Sequence, residues 1–495
     1  MPGRSWLADL RSRLGAGARA DGLGILAFEA AAAMSRLVSL HLALSDAEVR
    51  RLRGDALRAE GVARLTSTDQ SHLLRLACGE LVADLDRAAD AAARLGARCG
   101  GNGNGEPLLR DFDKVYADAK RGRLAQLDAA VGFSRGAARR FRKMERLVAA
   151  TARLYAEMDA LGELEASERR MEQWMRHSGP IPAQSTSPAP GKRAAEPAAG
   201  EKLMRELRAQ RHKVRRLTEG GGGSLWSVPA PKAAKLMVKS VLAVLARVSV
   251  AFGAYVPGLP PLVTGGRGAW ALGHASGPLR HAGAAPDAAV RHSAPILRHN
   301  DPALSPLESI KPSPNTVGGS GMELRYANVI LSAETLLAAL RPPAAAAGDT
   351  HTDQEVPVGI DLQRRDALYR MLPVSIREAV NVKLRETWRG GHQPMAAAVV
   401  DEAAAAASRD AVERALRWLG PVARDTVRWH DERSMERAQR FSVRPRALMV
   451  QTLHFADRKK ADDAIVQVLV GLSCVCWYDD ERRRMESLDW GTSSK

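Results

Sequence analysis

The stretch that decides the fold is Tyr326-Ala327-Asn328-Val329-Ile330-Leu331-Ser332-Ala333-Glu334-Thr335-Leu336-Leu337-Ala338-Ala339-Leu340, followed by Arg341-Pro342-Pro343. Tyr326, Val329, Ile330, Ala333, Leu336, Leu337 and Leu340 recur at intervals of three and four, the stripe of a helix with one buried face, and the paired prolines end it. The same rhythm returns in both directions. Downstream, Leu368 and Leu372 lead into Pro373, then Ile376, Val380 and Leu384 stripe the next helix. Pro421 and Pro445 read as first-turn prolines ahead of helices holding Val422 and Val427, and Leu448, Leu453 and Phe455. Ile465, Val468, Leu469 and Leu472 make the last buried face.

Toward the amino terminus, Ile25, Phe28, Ala32, Leu37 and Leu40 form a stripe, and Ser45 with Glu48 makes a capping box before Val49, Leu52 and Leu57. Ser67 or Thr68 opens a further helix carrying Leu73, Leu74, Leu76, Leu81 and Leu85, and the run Gly100 to Gly105 reads as a flexible loop. Leu108, Phe112, Val115 and Tyr116 share a helical face. Met144, Leu147, Thr151, Leu154, Met158 and Leu161 then alternate spacings of three and four. That heptad seam predicts intramolecular packing, with self-association as the alternative.

At 495 residues the chain exceeds one hydrophobic core, and with aromatics at 4% its cores must be filled by Leu, Val, Ala and Met. The fold class is therefore all-α: two helical modules joined by a long, largely disordered basic linker. The boundaries read as a flexible amino terminus (1–20), a helical domain (21–176), a Pro/Gly-rich linker (177–315) with short helices near 201–218 and 231–253, a second helical domain (316–478) and a charged tail (479–495).

The net charge of +17 divides as +5 over residues 1–176, +11 over 177–321 and +1 over 322–495, so the linker carries most of the excess. Neither module concentrates cations with stacking aromatics, which leaves weak, non-specific polyanion binding as the linker's expected electrostatic property. Within it, Leu203, Leu207, Val214 and Leu217 keep a helical spacing while Arg205, Arg208, Arg211, Lys213, Arg215 and Arg216 occupy other faces. Arg211, Lys213, Arg215 and Arg216 are the candidate nuclear-import patch; a membrane-surface segment, a calmodulin-like target and a solvated face are the other readings. Leu236 to Val256 is apolar, but Lys239 and Arg247 would each cost ~3 kcal/mol at bilayer depth, so a packed helix is expected and no transmembrane span. Pro257 to Pro314 holds no periodicity and reads as disordered by composition.

No catalytic constellation, metal or cofactor is implied by the residues. Cys78, Cys99, Cys474 and Cys476 lack disulfide or zinc spacing and are expected to be structural. Thr316-Val317-Gly318-Gly319-Ser320-Gly321 before a helix invites a phosphate cradle, yet no Gly-Lys-Ser/Thr follows and Met322 stands where a nucleophile elbow needs glycine. Helix capping by Ser320 or Thr316 is the structural expectation. Trp429-His430-Asp431-Glu432-Arg433 groups a histidine with carboxylates, but adjacent helical residues diverge and a salt-bridged role is expected. No secretory signal is evident; the Arg-rich start (Arg4, Arg11, Arg13, Arg19) has an organelle-targeting character that Asp9 interrupts.

The ordered segments Thr316-Val317-Gly318-Gly319-Ser320, Tyr326-Ala327-Asn328-Val329-Ile330, Leu368-Tyr369-Arg370-Met371-Leu372-Pro373 and Gln451-Thr452-Leu453-His454-Phe455-Ala456-Asp457-Arg458 resemble the carboxy-terminal domain of the plant PSK-simulator family. Ile25-Leu26-Ala27-Phe28-Glu29, Leu44-Ser45-Asp46, Gly61-Val62 and Asp111-Phe112 are similar to that family's amino-terminal domain. The resemblance implies a non-enzymatic growth regulator associated with the peptide hormone phytosulfokine, acting through signalling or nuclear proteins and residing in the nucleus and also the cytoplasm. It marks Thr316, Gly318, Gly319, Ser320, Tyr326, Asn328, Leu372, Pro373, Asp457 and Arg458 as motif residues with structural roles. Members often begin Met-Gly, whereas Pro2 follows Met1 here, so N-myristoylation is not expected. Two other functions compete: a nucleic-acid-associated regulator using the basic linker, and an enzyme with an unrecognised site in the carboxy-terminal domain.

Overall fold

The computed structural model describes residues 22–99, 107–177, 195–219, 223–253, 256, 259, 311–340, 358–389, 402–434, 441–444 and 446–492. The Arg-rich start, the Gly100 to Gly105 loop, the Pro/Ala/Ser spacer before residue 195, residues 260–310 and Pro445 lie outside them. Helices dominate the described residues, which hold no strand beyond two isolated bridges. In chain order they are α1 (Leu26–Ala43), α2 (Asp46–Gly54), α3 (Glu60–Leu65), α4 (Gln70–Cys99), α5 (Pro107–Arg110), α6 (Phe112–Asp118), α7 (Leu124–Val131), α8 (Ala137–His177), α9 (Ala195–Glu219), α10 (Ala230–Phe252), α11 (Glu323–Ala339), α12 (Val358–Met371), α13 (Val374–Arg389), α14 (Glu402–Ser434) and α15 (Arg458–Thr492).

Two compact units form, and they do not follow the two halves of the chain. The first takes residues 1–44, 81–307 and 437–445; the second takes 45–80, 308–436 and 446–495. The reason is packing. Leu65, at the end of α3, is buried in one core with Val317, Tyr326, Ile330, Leu336, Leu419 and Ile465, and its carbonyl accepts from Asp457 N at 2.8 Å.

In the first unit, α8 packs along α1 and α9. Met144, Thr151, Leu154, Met158 and Leu161 are buried, so the heptad seam is filled within the chain. The stretch read as linker contributes to this core. Leu207 and Val214 of α9 face α8, and α10 buries Met237, Val241, Leu242 and Leu245. The two cations in the apolar stretch of α10 find partners inside the fold: Lys239 Nζ donates to Val131 O at 2.9 Å and Arg247 Nε to Leu44 O at 2.8 Å. A packed helix can thus carry charges that a spanning one would have to leave unmatched. Among the described residues, α1 and residues 458–482 are the helices long and apolar enough to pass for spanning segments; the protein buries 61% and 44% of those windows within itself.

Ser442 and Phe441 belong to the first unit through Ser35 Oγ, which donates to Ser442 O at 2.5 Å, and through an edge contact of Phe441 with Tyr155 at 5.5 Å.

Two local expectations need correction. Pro421 does not start a helix; it lies inside α14. A proline normally breaks a helix by losing one amide and crowding the preceding turn, but Leu416, Leu419, Val422 and Ala423 on both sides of it sit in one core, and that burial carries the helix through. The Leu448 to Phe455 stretch is not an α-helix but two short 3-10 turns, Met449–Gln451 and Leu453–Phe455. Thr452 separates them in extended conformation, its hydroxyl accepting from His454 N at 3.1 Å.

Candidate functional site where the signature segments meet

Seven of the ten motif residues come together in the second unit. Thr316 and Asp457 form an isolated antiparallel bridge. Val317 N donates to Ala456 O and Arg458 N to Asn315 O, both at 2.9 Å. Thr316 Oγ1 accepts from Gly319 N at 3.1 Å, closing the turn Gly318–Ser320. Ser320 Oγ instead donates to Val317 O at 2.7 Å. The amide-accepting role thus falls to Thr316, and α11 begins after Met322 without a side-chain cap.

Both glycines are dictated by close approach. A β-carbon at Gly318 would stand 2.6 Å from His454 Nδ1, and one at Gly319 would stand 2.8 Å from the Ser313 carbonyl carbon. Neither space admits a side chain. Tyr326, fully buried, donates from its hydroxyl to Asp462 Oδ1 at 2.5 Å, and Arg458 lies 3.9 Å from the same carboxylate. Burial first, then the bond to Asp462, pushes the Tyr326 phenol up to about 12.

Asn328 is exposed and stands apart from this cluster. Leu372 and Pro373 are buried at the corner between α12 and α13. Arg325, the neighbour of Tyr326, donates to Met371 O at 2.7 Å and to Leu372 O at 3.3 Å, so α11 ties this corner to the signature turn. Of the candidate import residues, Arg211 pairs with Glu165 and Glu168 of α8 at 3.3 and 3.5 Å, and Lys213 with Glu157 at 2.7 Å. Arg215 approaches Glu219 at 3.9 Å, and Arg216 is exposed. The patch is therefore divided between a docked side and a solvent side of α9.

Sequence reasoning passed over Glu80, which is buried beside the cluster. Its carboxylate accepts from Trp429 Nε1 at 3.3 Å and from Met449 N at 2.6 Å. A lone carboxylate within the apolar run Leu76 to Leu81 was the available signal. Trp429 in turn lies 5.2 Å from the His454 ring, and His454 Nδ1 faces Glu323 Oε1 at 3.5 Å. Burial acts to raise the Glu323 carboxyl, yet the facing His454 imidazole, its own backbone amide and His430 outweigh it and leave its pKa below the ordinary carboxylate value.

A histidine beside a carboxylate can serve acid/base chemistry when a nucleophile is within reach. Here the nearby hydroxyls donate elsewhere: Thr452 Oγ1 to Met449 O and Thr426 Oγ1 to Val422 O, each at 2.7 Å. Glu432, from the Trp429 to Arg433 cluster, accepts from Arg428 Nε and Ala447 N at 3.0 Å. Cys78 and Cys476 are buried, Cys474 is half-buried, and burial pushes the Cys78 thiol up to about 12. Among the described residues no group of three metal-ligating side chains occurs. The arrangement clasps the signature turn, the 3-10 turns, α11, α14 and residues 45–80 together.

Fold and site define an all-α protein carrying two domains of unknown function: residues 25–81 match the domain of unknown function DUF3475, and residues 316–428 match the protein family of unknown function DUF668. Along nearly its whole length the chain is similar to the PSK simulator proteins. It is 24% identical to Protein PSK SIMULATOR 1 of Arabidopsis thaliana over 91% of this chain and 55% of that protein. It is 24% identical to Protein PSK SIMULATOR 3 of the same plant over 92% and 57%, and 23% identical to Protein PSK SIMULATOR 2 over 95% and 62%. The resemblance read from the sequence is thereby borne out. The chain spans somewhat over half the length of these relatives. No solved structure matches it.

Proposed function

We propose that this chain is a non-enzymatic growth-regulatory protein that acts in phytosulfokine-connected signalling by binding other proteins. The names of its Arabidopsis relatives support a plant PSK-related regulatory role. The observation that carries the non-catalytic part is the clasp: the polar groups of Thr316, Ser320, Tyr326, Asp457 and Glu80 are engaged with internal partners. Groups committed in this way rigidify a fold and specify its core.

Residence in the nucleus, with a cytoplasmic pool, is part of the proposal. It rests on the basic face of α9, whose Arg211 and Lys213 would have to leave their α8 partners to be read by an import receptor.

Proximity labelling in plant cells, with and without the hormone, tests the central statement. A reproducible set of labelled signalling proteins that changes with hormone supports it. A set indistinguishable from that of the free labelling enzyme, or a melting-temperature rise with one metabolite or nucleotide in a ligand panel, would overturn it in favour of a catalytic or ligand-binding role.

A further inference from the structure

Ser313 and Pro314 precede the signature turn and are fixed to it. The Ser313 carbonyl accepts from Thr316 N at 2.9 Å and from Thr316 Oγ1 at 2.6 Å, a turn in which Pro314 supplies the second residue with its φ already set. A β-carbon on Gly319 would stand 3.1 Å from Pro314 Cα, so glycine at 319 is what lets the Ser-Pro dipeptide lie across the signature. The Ser313 side chain points the other way in its chemistry: the residue is exposed, and among the described residues its Oγ meets only the Asn315 amide, at 3.5 Å. That is the outer limit of a hydrogen bond, so the hydroxyl is available to react.

The surroundings are cationic. The bond from Arg458 N to Asn315 O sets the run Arg458-Lys459-Lys460 beside this turn, and Lys311 lies two residues before Ser313. Lys459 and Lys460 are exposed and have no carboxylate partner among the described residues. Two carboxylates oppose them in charge: Asp457, which accepts from Lys460 N at 3.0 Å, and Asp462, 3.9 Å from Arg458 Nε.

We propose that Ser313 is a phosphorylation site for a proline-directed protein kinase, and that Lys311, Arg458, Lys459 and Lys460 hold the phosphoseryl group against the signature clasp. In the step, Ser313 Oγ forms a bond to the γ-phosphorus of ATP and the bond from that phosphorus to the β,γ-bridging oxygen breaks. ADP leaves with the electron pair, and the hydroxyl proton passes to the kinase's base. The product carries about −1.5 to −2 charges at pH 7, and opposite a cation cluster such a group gains charge-assisted hydrogen bonds. The inference does not depend on the proposed signalling role.

The test uses the full chain, a recombinant mitogen-activated protein kinase, ATP and Mg²⁺, with phosphosites mapped by mass spectrometry. A synthetic peptide of residues 309–317 serves as the control for sequence alone. The proposal expects Ser313 to be modified in the folded chain and the melting temperature to rise by about 2–4 °C at low salt. The rise should shrink at high salt and vanish in Lys459→Gln/Lys460→Gln, while Ser313→Ala loses both the phosphate and the rise. Modification of the peptide with Ser313 untouched in the chain would overturn the site. A phosphorylated chain whose melting temperature is unchanged or lower at low salt would overturn the cationic receptor.

Discussion

His41 shows how a single side chain can carry a pH dependence. Its ring stacks on Phe141 at 3.8 Å, and burial first, then the Arg247 charge, lowers its pKa from 6.5 to about 4. The folded state therefore binds this proton less readily than the unfolded chain. The stabilisation it contributes is fully present above about 6.5 and is lost as pH falls toward 4. His41→Gln should flatten the acid side of a stability-versus-pH curve in that window, as followed by urea midpoints; an unchanged acid limb would contradict the assignment. Tyr326 acts at the other extreme. With its phenol raised to about 12, its contribution should be lost between about pH 10 and 12, and Tyr326→Phe should cost about 1–3 kcal/mol at neutral pH by removing the hydrogen bond to the Asp462 carboxylate. Tyr326 was legible as a buried member of its stripe. Its partner was not, because Asp462 lies 136 residues away and no local pattern pairs a phenol with a distant carboxylate. Glu80 was hidden for the same reason.

At the scale of elements, periodicity revealed the stripes of α1, α8 and α11 because a buried face repeats locally. It could not reveal what each face meets. The helix α9 looked like an isolated basic segment, yet Leu207 and Val214 seat it on the α8 seam while Gln210, Arg211 and Lys213 bond to α8 carboxylates or carbonyls. Exposed pairs of this kind contribute little each, so the buried leucine should dominate. Leu207→Ala is expected to cost about 2–5 kcal/mol and to speed amide exchange across 195–219. Arg211→Gln should change exchange there far less, and the reverse order would show that charge, not packing, holds the helix. Replacing Pro421 with alanine should stabilise α14 or leave it unchanged, read from thermal melts, since a proline inside a helix ordinarily costs free energy that the flanking core offsets here.

For the whole molecule, length and apolar content made two cores legible, while chain order did not show that residues 45–80, part of the stretch 25–81 that matches DUF3475, pack in the second unit. Gly61 lies so close to α14 that a β-carbon would stand 2.6 Å from Trp418 O, Arg64 covers the Trp418 ring at 5.2 Å, and Leu65 caps the shared core. The signature clasp holds this piece through Asp457 and, by way of Trp429 and Met449, through Glu80. The most direct test compares amide exchange in a 308–495 fragment with that of the full chain. Without residues 45–80, protection across α14 and the first half of α15 should collapse and the melt should lose cooperativity. A fragment that keeps full-chain protection and melts cooperatively at the same temperature would contradict the account.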